Sequence, residues 1–273
     1  MRWFRSSMVY SSLLLSLLVV IVGCGSDSSS SNNSPQASRQ VSVAAAADLK
    51  FAFDDLIGEF EKDYADINIR VTYGSSGNFF AQLSNKAPFD IYFSADIAYP
   101  RQLIEQGLAE AQSEFLYAVG QIVVWVPNDS GIDVEQLGIR ALLDPAARKI
   151  AIANPQHAPY GRAAKSTLKS FGVYDQVRDR LVLGENIAQT AQFVESGAAD
   201  VGVIALSLAV APAMKDKGRY WEVPLDTYPT MEQGSVILNW AEDRKATEEF
   251  QSFVAGTRGR EILKRYGFIL PGE

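Results

Sequence analysis

Four short segments combine small residues with hydroxyl, carboxyl or amide groups where a strand gives way to a helix. They are Ala46-Ala47-Asp48, Gly74-Ser75-Ser76-Gly77, Pro159-Tyr160-Gly161 and Gly184-Glu185-Asn186-Ile187. Small residues let the backbone approach a ligand, and the first N–H groups of a helix have no partner within it. A single helix start of this kind is weak evidence for anion binding and is more often a simple cap or tight turn. Several of them facing one another would form a ring of neutral donors around a small anion.

Three other motifs suggest enzyme, nucleotide or metal chemistry, and each is incomplete. Residues 166–169 match the S-x-x-K pattern of serine acyl-enzymes but lack its companion S-D-N and K-T-G elements. Residues 161–167 resemble the end of a phosphate-binding loop, but Ala164 stands where GxxxxGK[ST] requires glycine. His157 is the only histidine, so a cluster of histidine metal ligands is impossible. We interpret His157 as a loop residue without a role in binding.

The elements that must position the four turns alternate between strand and helix from Val41 onward. The pattern predicts one strand–helix series over residues 41–106, a long strand over Ala118–Val126, a second series over 149–205, a strand over 235–240 and two final helices over 244–254 and 258–266. Residues 221–230 are rich in turn residues and prolines. Regular alternation of this kind favours α/β domains, each with a mostly parallel sheet flanked by helices.

Two such series predict two domains with a ligand cleft between them. We place domain 1 at residues 41–121 plus 231–273, on which the final helices would pack, and domain 2 at 122–230. The chain then crosses between domains twice, and strands near 118–121 and 223–233 would act as hinges. Ligands bind at the carboxyl ends of strands in such sheets, which is where the four turns lie.

The N-terminus has the pattern of an export signal with a lipidation site. Arg2 and Arg5 precede an apolar run, Leu13–Val22, that is short for a membrane span and of the right length for a signal peptide. The run ends at Gly23-Cys24, which resembles a bacterial lipobox, and Cys24 is the only cysteine. We therefore expect a signal peptide over residues 1–23 and a lipid on Cys24.

Composition indicates a tether and excludes nucleic acid as a partner. Residues 25–40 carry no large apolar side chain, so we expect residues 24–40 to be a disordered tether. The protein would then be exported and held at a membrane, in the periplasm or at the cell surface. Without its first 23 residues the chain has 23 Lys and Arg against 32 Asp and Glu, a net charge of −9. Nucleic-acid binding needs cationic contacts, and an anion must here be held by local donors.

Five stretches of the folded part resemble the molybdate-binding proteins of ABC importers. They are VSVAAAADL, VTYGSSGNFFAQL, FDIYFSAD, NPQHAPYGRAAKSTL and KRYGFILP. The resemblance implies the two-domain periplasmic-binding-protein fold, with one dehydrated oxyanion held between domains by hydroxyls and main-chain N–H groups. It further implies a monomeric solute-binding protein, not an enzyme, that needs no cofactor. Such a protein delivers molybdate or tungstate to an ABC permease and its ATPase subunits.

The resemblance also assigns residues to the oxyanion, with no direct ligand to its metal atom. Ser76 would offer its hydroxyl and its backbone N–H, while Tyr160 and Ile187 would offer backbone N–H groups. Asp48 occupies the place of a second ligand serine and would offer only its backbone N–H. A tyrosine that donates its hydroxyl in some members falls on Ala205 here, and the hydroxyl of Tyr160 is a candidate substitute.

The carboxyl of Asp48 departs from the family pattern and leaves three alternatives. A carboxylate about 4 Å from a dianion would be repelled by about 8 kcal/mol at an effective dielectric constant near 20. Asp48 therefore caps its helix through the N–H near Phe51, or is protonated, or meets a different ligand. Hydrogen phosphate is such a ligand, because it can donate to a carboxylate. We favour capping, and with it molybdate or tungstate over phosphate.

Two functions of other classes stay open from the residues alone. One is a secreted hydrolase with Ser76 as its nucleophile, although the G-x-S-x-G elbow is absent. The other is a lipoprotein that senses its ligand and signals to a partner.

Overall fold

The computed structural model describes residues 39–272. The predicted signal peptide, Cys24 and most of the predicted tether lie outside these residues. Arg39 and Gln40, expected to belong to the tether, begin the first strand instead, and Arg39 Nε lies 2.6 Å from Asp243 Oδ2. Within residues 39–272, no helix combines the length and the apolar character that crossing a bilayer requires.

Five strands form the first sheet, in the order β2-β1-β3-β10-β4. They are β1 (Arg39–Ala46), β2 (Ile67–Gly74), β3 (Ile91–Ser94), β4 (Phe115–Gly120) and β10 (Met231–Ile237). Strand β1 runs parallel to β2 and β3, whereas β10 runs antiparallel to β3 and β4. The parallel register pairs Ala46 with Gly74, so the first two of the four turns leave the sheet at the same edge.

Five further strands form the second sheet, in the order β7-β6-β8-β5-β9. They are β5 (Ile122–Pro127), β6 (Ile150–Ala153), β7 (Leu181–Gly184), β8 (Val201–Ala205) and β9 (Gly218–Glu222). Strand β6 runs parallel to β7 and β8, whereas β5 runs antiparallel to β8 and β9. Ala153 pairs with Gly184, so the other two turns also share one edge.

Helices flank both sheets. They are α1 (Lys50–Phe60), α2 (Ser76–Ser84), α3 (Ala98–Glu105), α4 (Val134–Leu137), α5 (Pro159–Ser170), α6 (Tyr174–Val177), α7 (Ile187–Glu195), α8 (Leu206–Ala209), α9 (Arg244–Ala255) and α10 (Thr257–Arg265). Buried Phe250 of α9 packs edge-on against Phe53 of α1 and Phe93 of β3, with ring centroids 6.0 and 6.1 Å apart. The final helices thus pack on the first sheet, as expected.

The chain passes between the sheets twice. Strand β4 ends at Gly120 and β5 begins at Ile122, so the single strand predicted over Ala118–Val126 is wrong. The apolar run is interrupted only by Gly120 and Gln121, and Gln121 separates strands that belong to different sheets. The return lies at residues 223–230, after β9, a strand that was not predicted because its side chains are polar or only half-buried. Strand β4 pairs with β10 and β5 pairs with β9, so the two crossings run side by side. The predicted architecture of two helix-flanked sheets is confirmed, with antiparallel pairs where the chain crosses.

Candidate functional site

The four turns surround one small cavity. We call the first sheet with α1–α3, α9 and α10 lobe 1, and the second sheet with α4–α8 lobe 2. The cavity is lined by Ala46, Ala47, Asp48, Gly74, Ser75, Ser76 and Ala95 of lobe 1 and by Ala158, Pro159, Tyr160 and Ile187 of lobe 2. Its volume is about 10 Å³, close to the least space that holds one water molecule. The structure therefore brings the four sequence-predicted residues together and closes the lobes over them.

Three helices point their N-terminal ends at this cavity. Helix α2 begins at Ser76, α7 begins at Ile187, and α5 begins one residue before Tyr160. The backbone N–H groups of these three residues belong to the first turns, whose N–H groups have no intrahelical partner. The side chain of Asn186 caps α7 by accepting from the N–H of Gln189 at 3.0 Å. The N–H group of Ile187 is not used by this cap.

Ser76 is held so that its hydroxyl can act as a donor. Its Oγ accepts from the backbone N–H of Ala95 at 2.9 Å, and its carbonyl oxygen accepts from the hydroxyl of Tyr92 at 2.7 Å. Both side chains are buried, and burial raises the pKa of Tyr92, which keeps that hydroxyl protonated. Because the oxygen of Ser76 already accepts a hydrogen bond, its own hydrogen is left to donate to a ligand.

Asp48 does not cap a helix, and that prediction is wrong. Helix α1 begins at Lys50, and its N-cap position, Leu49, makes no side-chain capping bond. The carboxyl of Asp48 is drawn inward instead, where Oδ2 accepts from the hydroxyl of Tyr160 and from Nε2 of Gln233, each at 2.9 Å. Asp48 is 1% exposed, and its Oδ1 is buried without a hydrogen-bond partner.

The surroundings of Asp48 shift two pKa values. Burial raises the pKa of the Asp48 carboxyl to about 6, and the hydrogen bonds from Gln233, from Tyr160 and from the backbone N–H of Asp48 itself only partly oppose this. Burial, together with the nearby carboxyl of Asp48, raises the pKa of Tyr160 well above its usual value. Tyr160 therefore stays protonated, and its hydroxyl donates a hydrogen bond to Asp48. The hydroxyl of Tyr160 is therefore directed to Asp48 and does not replace the tyrosine hydroxyl that is missing at position 205. Ala205 is buried at the end of β8 and has no donor side chain.

Gln233 is a site residue that the sequence did not reveal. It is fully buried on β10 at a register shift, and its Nε2 also lies 3.0 Å from the hydroxyl oxygen of Tyr160. Gln233 and Asp48 are 185 residues apart in the chain. A single polar residue in a strand carries no local signal for such a contact, so sequence patterns could not have found it.

His157 lies at the edge of the cavity rather than in an isolated loop. Its Nδ1 is 2.9 Å from Oγ of Ser75, and its carbonyl oxygen accepts from the N–H of Gly77 at 2.9 Å. These contacts join the loop before α5 to the start of α2. The expectation of a loop histidine without a role in binding stays a prediction, and these contacts show that His157 helps to join the two lobes.

A second pair of contacts joins the lobes at the rim. Nη2 of Arg162 on α5 lies 2.5 Å from Oδ2 of Asp96, just after β3, and Nη1 donates to the hydroxyl of Tyr99 at 3.1 Å. The Arg162 and Asp96 side chains are 39% and 31% exposed, so solvent screens this ion pair. Within residues 39–272, no group of three or more His, Asp and Glu side chains is placed to hold a metal ion.

Comparison with known proteins places the chain in a family. A family model described as bacterial extracellular solute-binding protein matches residues 41–269. The molybdate-binding protein ModA of Azotobacter vinelandii is 35% identical over 231 residues, which cover 85% of this chain and 90% of that protein. ModA of Rhodobacter capsulatus is 32% identical over 235 residues, covering 86% of this chain and 90% of that protein. The solved structure of the Azotobacter vinelandii periplasmic molybdate-binding protein matches with a TM-score of 0.79 at 33% identity, over 85% of this chain and 99% of that one. The chain therefore belongs to the bacterial extracellular solute-binding protein family.

Proposed function

We propose that this protein binds molybdate or tungstate in the cavity between its lobes and delivers the anion to an ABC permease with its ATPase subunits. The convergence of Asp48, Ser76, Tyr160 and Ile187 on one cavity carries the proposal. Three of these residues lie at helix starts, where free N–H groups and the helix dipole favour an anion. The likeness to two molybdate-binding proteins supports the choice of anion.

Selectivity would follow from the number and spacing of donors. A tetrahedral anion that reaches both lobes satisfies the N–H groups of α2, α5 and α7 together with the hydroxyl of Ser76. A smaller oxyanion such as sulfate leaves some of them unpaired, and each buried unpaired group costs about 1–3 kcal/mol. The anion whose oxygens meet every donor would therefore bind most tightly.

Delivery would depend on closure. We assign residues 41–121 plus 231–273 to one domain and 122–230 to the other, with the paired crossings at Gln121 and 223–230 as the hinge. An anion that touches both domains stabilises the closed form. The permease would then recognise the composite surface that closure creates.

We also propose that the protein works outside the cytoplasm. The matching family is one of bacterial extracellular proteins, which supports export. The pattern before Cys24 supports removal of residues 1–23 and attachment of a lipid to Cys24, and residues 24–38 would then form the tether. We expect the anchored protein to act as a monomer.

A hydrolytic function has less support. Ser76 Oγ is paired with a backbone N–H rather than with a base. Ser75 and His157 do form a serine–histidine contact, but within residues 39–272 no carboxylate is hydrogen-bonded to His157 to orient it. Ser75 is also buried, and the relatives are solute-binding proteins rather than enzymes.

The proposal is tested by calorimetric titration of the purified protein with molybdate, tungstate, sulfate and phosphate. We expect one-to-one binding of molybdate and tungstate only. Ser76→Ala removes one hydrogen bond to a charged acceptor, worth about 1.5–3 kcal/mol, so molybdate should bind roughly 10- to 150-fold more weakly. Ser84→Ala is the matched control, because Ser84 ends the same helix and its hydroxyl has no partner.

Three results would contradict the proposal. Binding of phosphate alone would favour the alternative in which Asp48 accepts a hydrogen bond from hydrogen phosphate. Absence of binding by all four anions would remove the oxyanion assignment. An unchanged affinity of Ser76→Ala for molybdate would show that the anion does not meet this hydroxyl.

A further inference from the structure

The two carboxyl oxygens of Asp48 have unlike surroundings. Oδ2 accepts two hydrogen bonds, from Tyr160 and from Gln233, and both donors are themselves buried. Oδ1 has no partner, although it is equally buried and belongs to a residue that lines the cavity. A buried polar atom without a partner at a ligand cavity indicates that the ligand supplies the partner.

The charge of that partner decides which form of the carboxyl can be present. A molybdate or tungstate dianion has only acceptor oxygens, and a charged carboxylate also has only acceptor oxygens. Two acceptors cannot share a hydrogen bond, and two negative charges in a small buried cavity repel each other. A protonated carboxyl resolves both difficulties, because Oδ2 keeps its two donors while the hydrogen on Oδ1 faces the anion.

We propose that Asp48 binds the oxyanion in its protonated form and donates a hydrogen bond to it from Oδ1, so that the protein takes up one proton with each anion. This inference rests on the proposed function. The step balances as carboxylate plus proton plus dianion giving a carboxylic acid hydrogen-bonded to a dianion. No bond of the anion is broken, and the proton comes from solvent and returns there on release.

The groups around Asp48 are consistent with a neutral carboxyl. The titratable groups that face it are Tyr160 on α5 and Tyr117 on β4, and burial keeps both phenols protonated. The polar groups are Gln233 on β10 and Ser207 on α8, whose Oγ donates to the backbone oxygen of Asp48 at 2.8 Å. No charged side chain is among the influences on the pKa of Asp48, which burial already raises to about 6.

Proton uptake makes binding depend on pH. Above the pKa of Asp48 in the free protein, each pH unit should weaken molybdate binding about tenfold, because binding takes up a proton whose concentration falls tenfold. Between about pH 6 and about pH 8 the dissociation constant should rise roughly 50-fold if that pKa is near 6, and roughly 100-fold if it is lower. A site with fixed neutral donors would show no such change.

Calorimetry of the purified protein measures the proton directly. Molybdate is titrated at about pH 7 in buffers of different ionisation enthalpy, and the slope of observed enthalpy against buffer enthalpy counts protons. We expect uptake of about 0.9 to 1 proton per anion. Asp129→Asn, which changes an exposed loop carboxyl far from the cavity lining, should give the same count.

Asp48→Asn provides the decisive comparison. Its side-chain oxygen can accept from Tyr160 and Gln233 while its NH2 group donates to the anion, as the acid would. We expect its proton count to fall to near zero and its affinity at about pH 8 to exceed that of the wild type about tenfold or more.

The possible failures are distinguishable. Molybdate binding by the wild type with no proton uptake, or equal uptake by Asp48→Asn, would overturn the inference and leave the proposed function standing. Loss of molybdate binding in a folded Asp48→Asn protein would also overturn it, because a carboxylate would then be required. Absence of molybdate and tungstate binding by the wild type at any pH would overturn both.

Discussion

Gly77, the second residue of α2, lies directly against the backbone of His157 in the other lobe, and replacing it by alanine tests closure separately from folding. A Cβ atom at this position would lie 2.6 Å from the carbonyl oxygen of His157 and 2.9 Å from the hydroxyl of Tyr99. The oxygen of His157 belongs to the backbone of lobe 2, so it cannot rotate away as a side chain could. Gly77→Ala therefore prevents the lobes from reaching their closed distance.

The cost can be worked out from two contributions. Overpacking of this kind typically costs about 1–3 kcal/mol. Separation of the lobes also weakens the hydrogen bond from the N–H of Gly77 to His157, which is 2.9 Å long and worth about 0.5–1.5 kcal/mol. Together they amount to about 1.5–4.5 kcal/mol, so molybdate should bind roughly 10- to 1,600-fold more weakly. The free protein can relieve the clash by opening, so its melting temperature without anion should change little.

Calorimetry and thermal unfolding of the same preparations check both statements. Gly58→Ala is the matched control, since Gly58 is an exposed glycine of α1 with no atom within 4 Å of the added carbon. It should bind molybdate as the wild type does and gain about 0.5–1 kcal/mol of stability from helix propensity. Wild-type affinity in a folded Gly77→Ala protein would refute the reasoning, because the anion would then bind without the closure seen here.

Two further predictions concern the rim ion pair and the buried carboxyl. Arg162→Gln removes the contacts to Asp96 and Tyr99. Because solvent screens these contacts, the variant should release molybdate at most about fivefold faster than the wild type. The release rates of the two proteins, measured by stopped flow, should converge as the salt concentration rises. The pKa of Asp48 is raised on folding, so the folded state disfavours the charged carboxylate. The resulting loss of stability is absent below about pH 4 and complete above about pH 6. Asp48→Asn should therefore raise the free energy of unfolding by up to about 3 kcal/mol at about pH 7.5 and by little near pH 4, as measured by denaturant titration; an equal gain at both pH values would contradict this.

The turns at the strand ends could be predicted because their signals are local. Helix α7 begins at Ile187 and β8 spans Val201–Ala205, as the apolar patterns predict. The break at Gln121 and strand β9 could not be predicted in the same way. An apolar run shows that a segment is buried but not which sheet it joins. In β9 the aromatic residues Tyr220 and Trp221 are adjacent, so the strand lacks the alternation of apolar and polar residues that would mark it.

The side chain of Asp48 shows where local reasoning fails. Capping weighs only the N–H groups within a few residues of the carboxyl, and on that scale it was the best choice. The bonds that draw Asp48 inward come from residues 112 and 185 positions away, on elements that meet only when both lobes are folded. The sequence could therefore place Asp48 at the cavity but could not say which way its carboxyl faces.

A titratable donor gives this cavity a means of discrimination that fixed donors lack. Ser76 and the helix N–H groups offer hydrogens to any tetrahedral anion, so alone they separate ligands only by size and by the number of donors that each ligand meets. Asp48 adds a dependence on whether the ligand itself carries a hydrogen. Molybdate brings none and requires the neutral carboxyl, whereas hydrogen phosphate brings its own and requires the charged one. Because burial holds the pKa of Asp48 near 6, both forms are accessible close to neutral pH. In either complex one hydrogen lies between Oδ1 and the anion, and it is carried by Asp48 with molybdate and by the ligand with hydrogen phosphate.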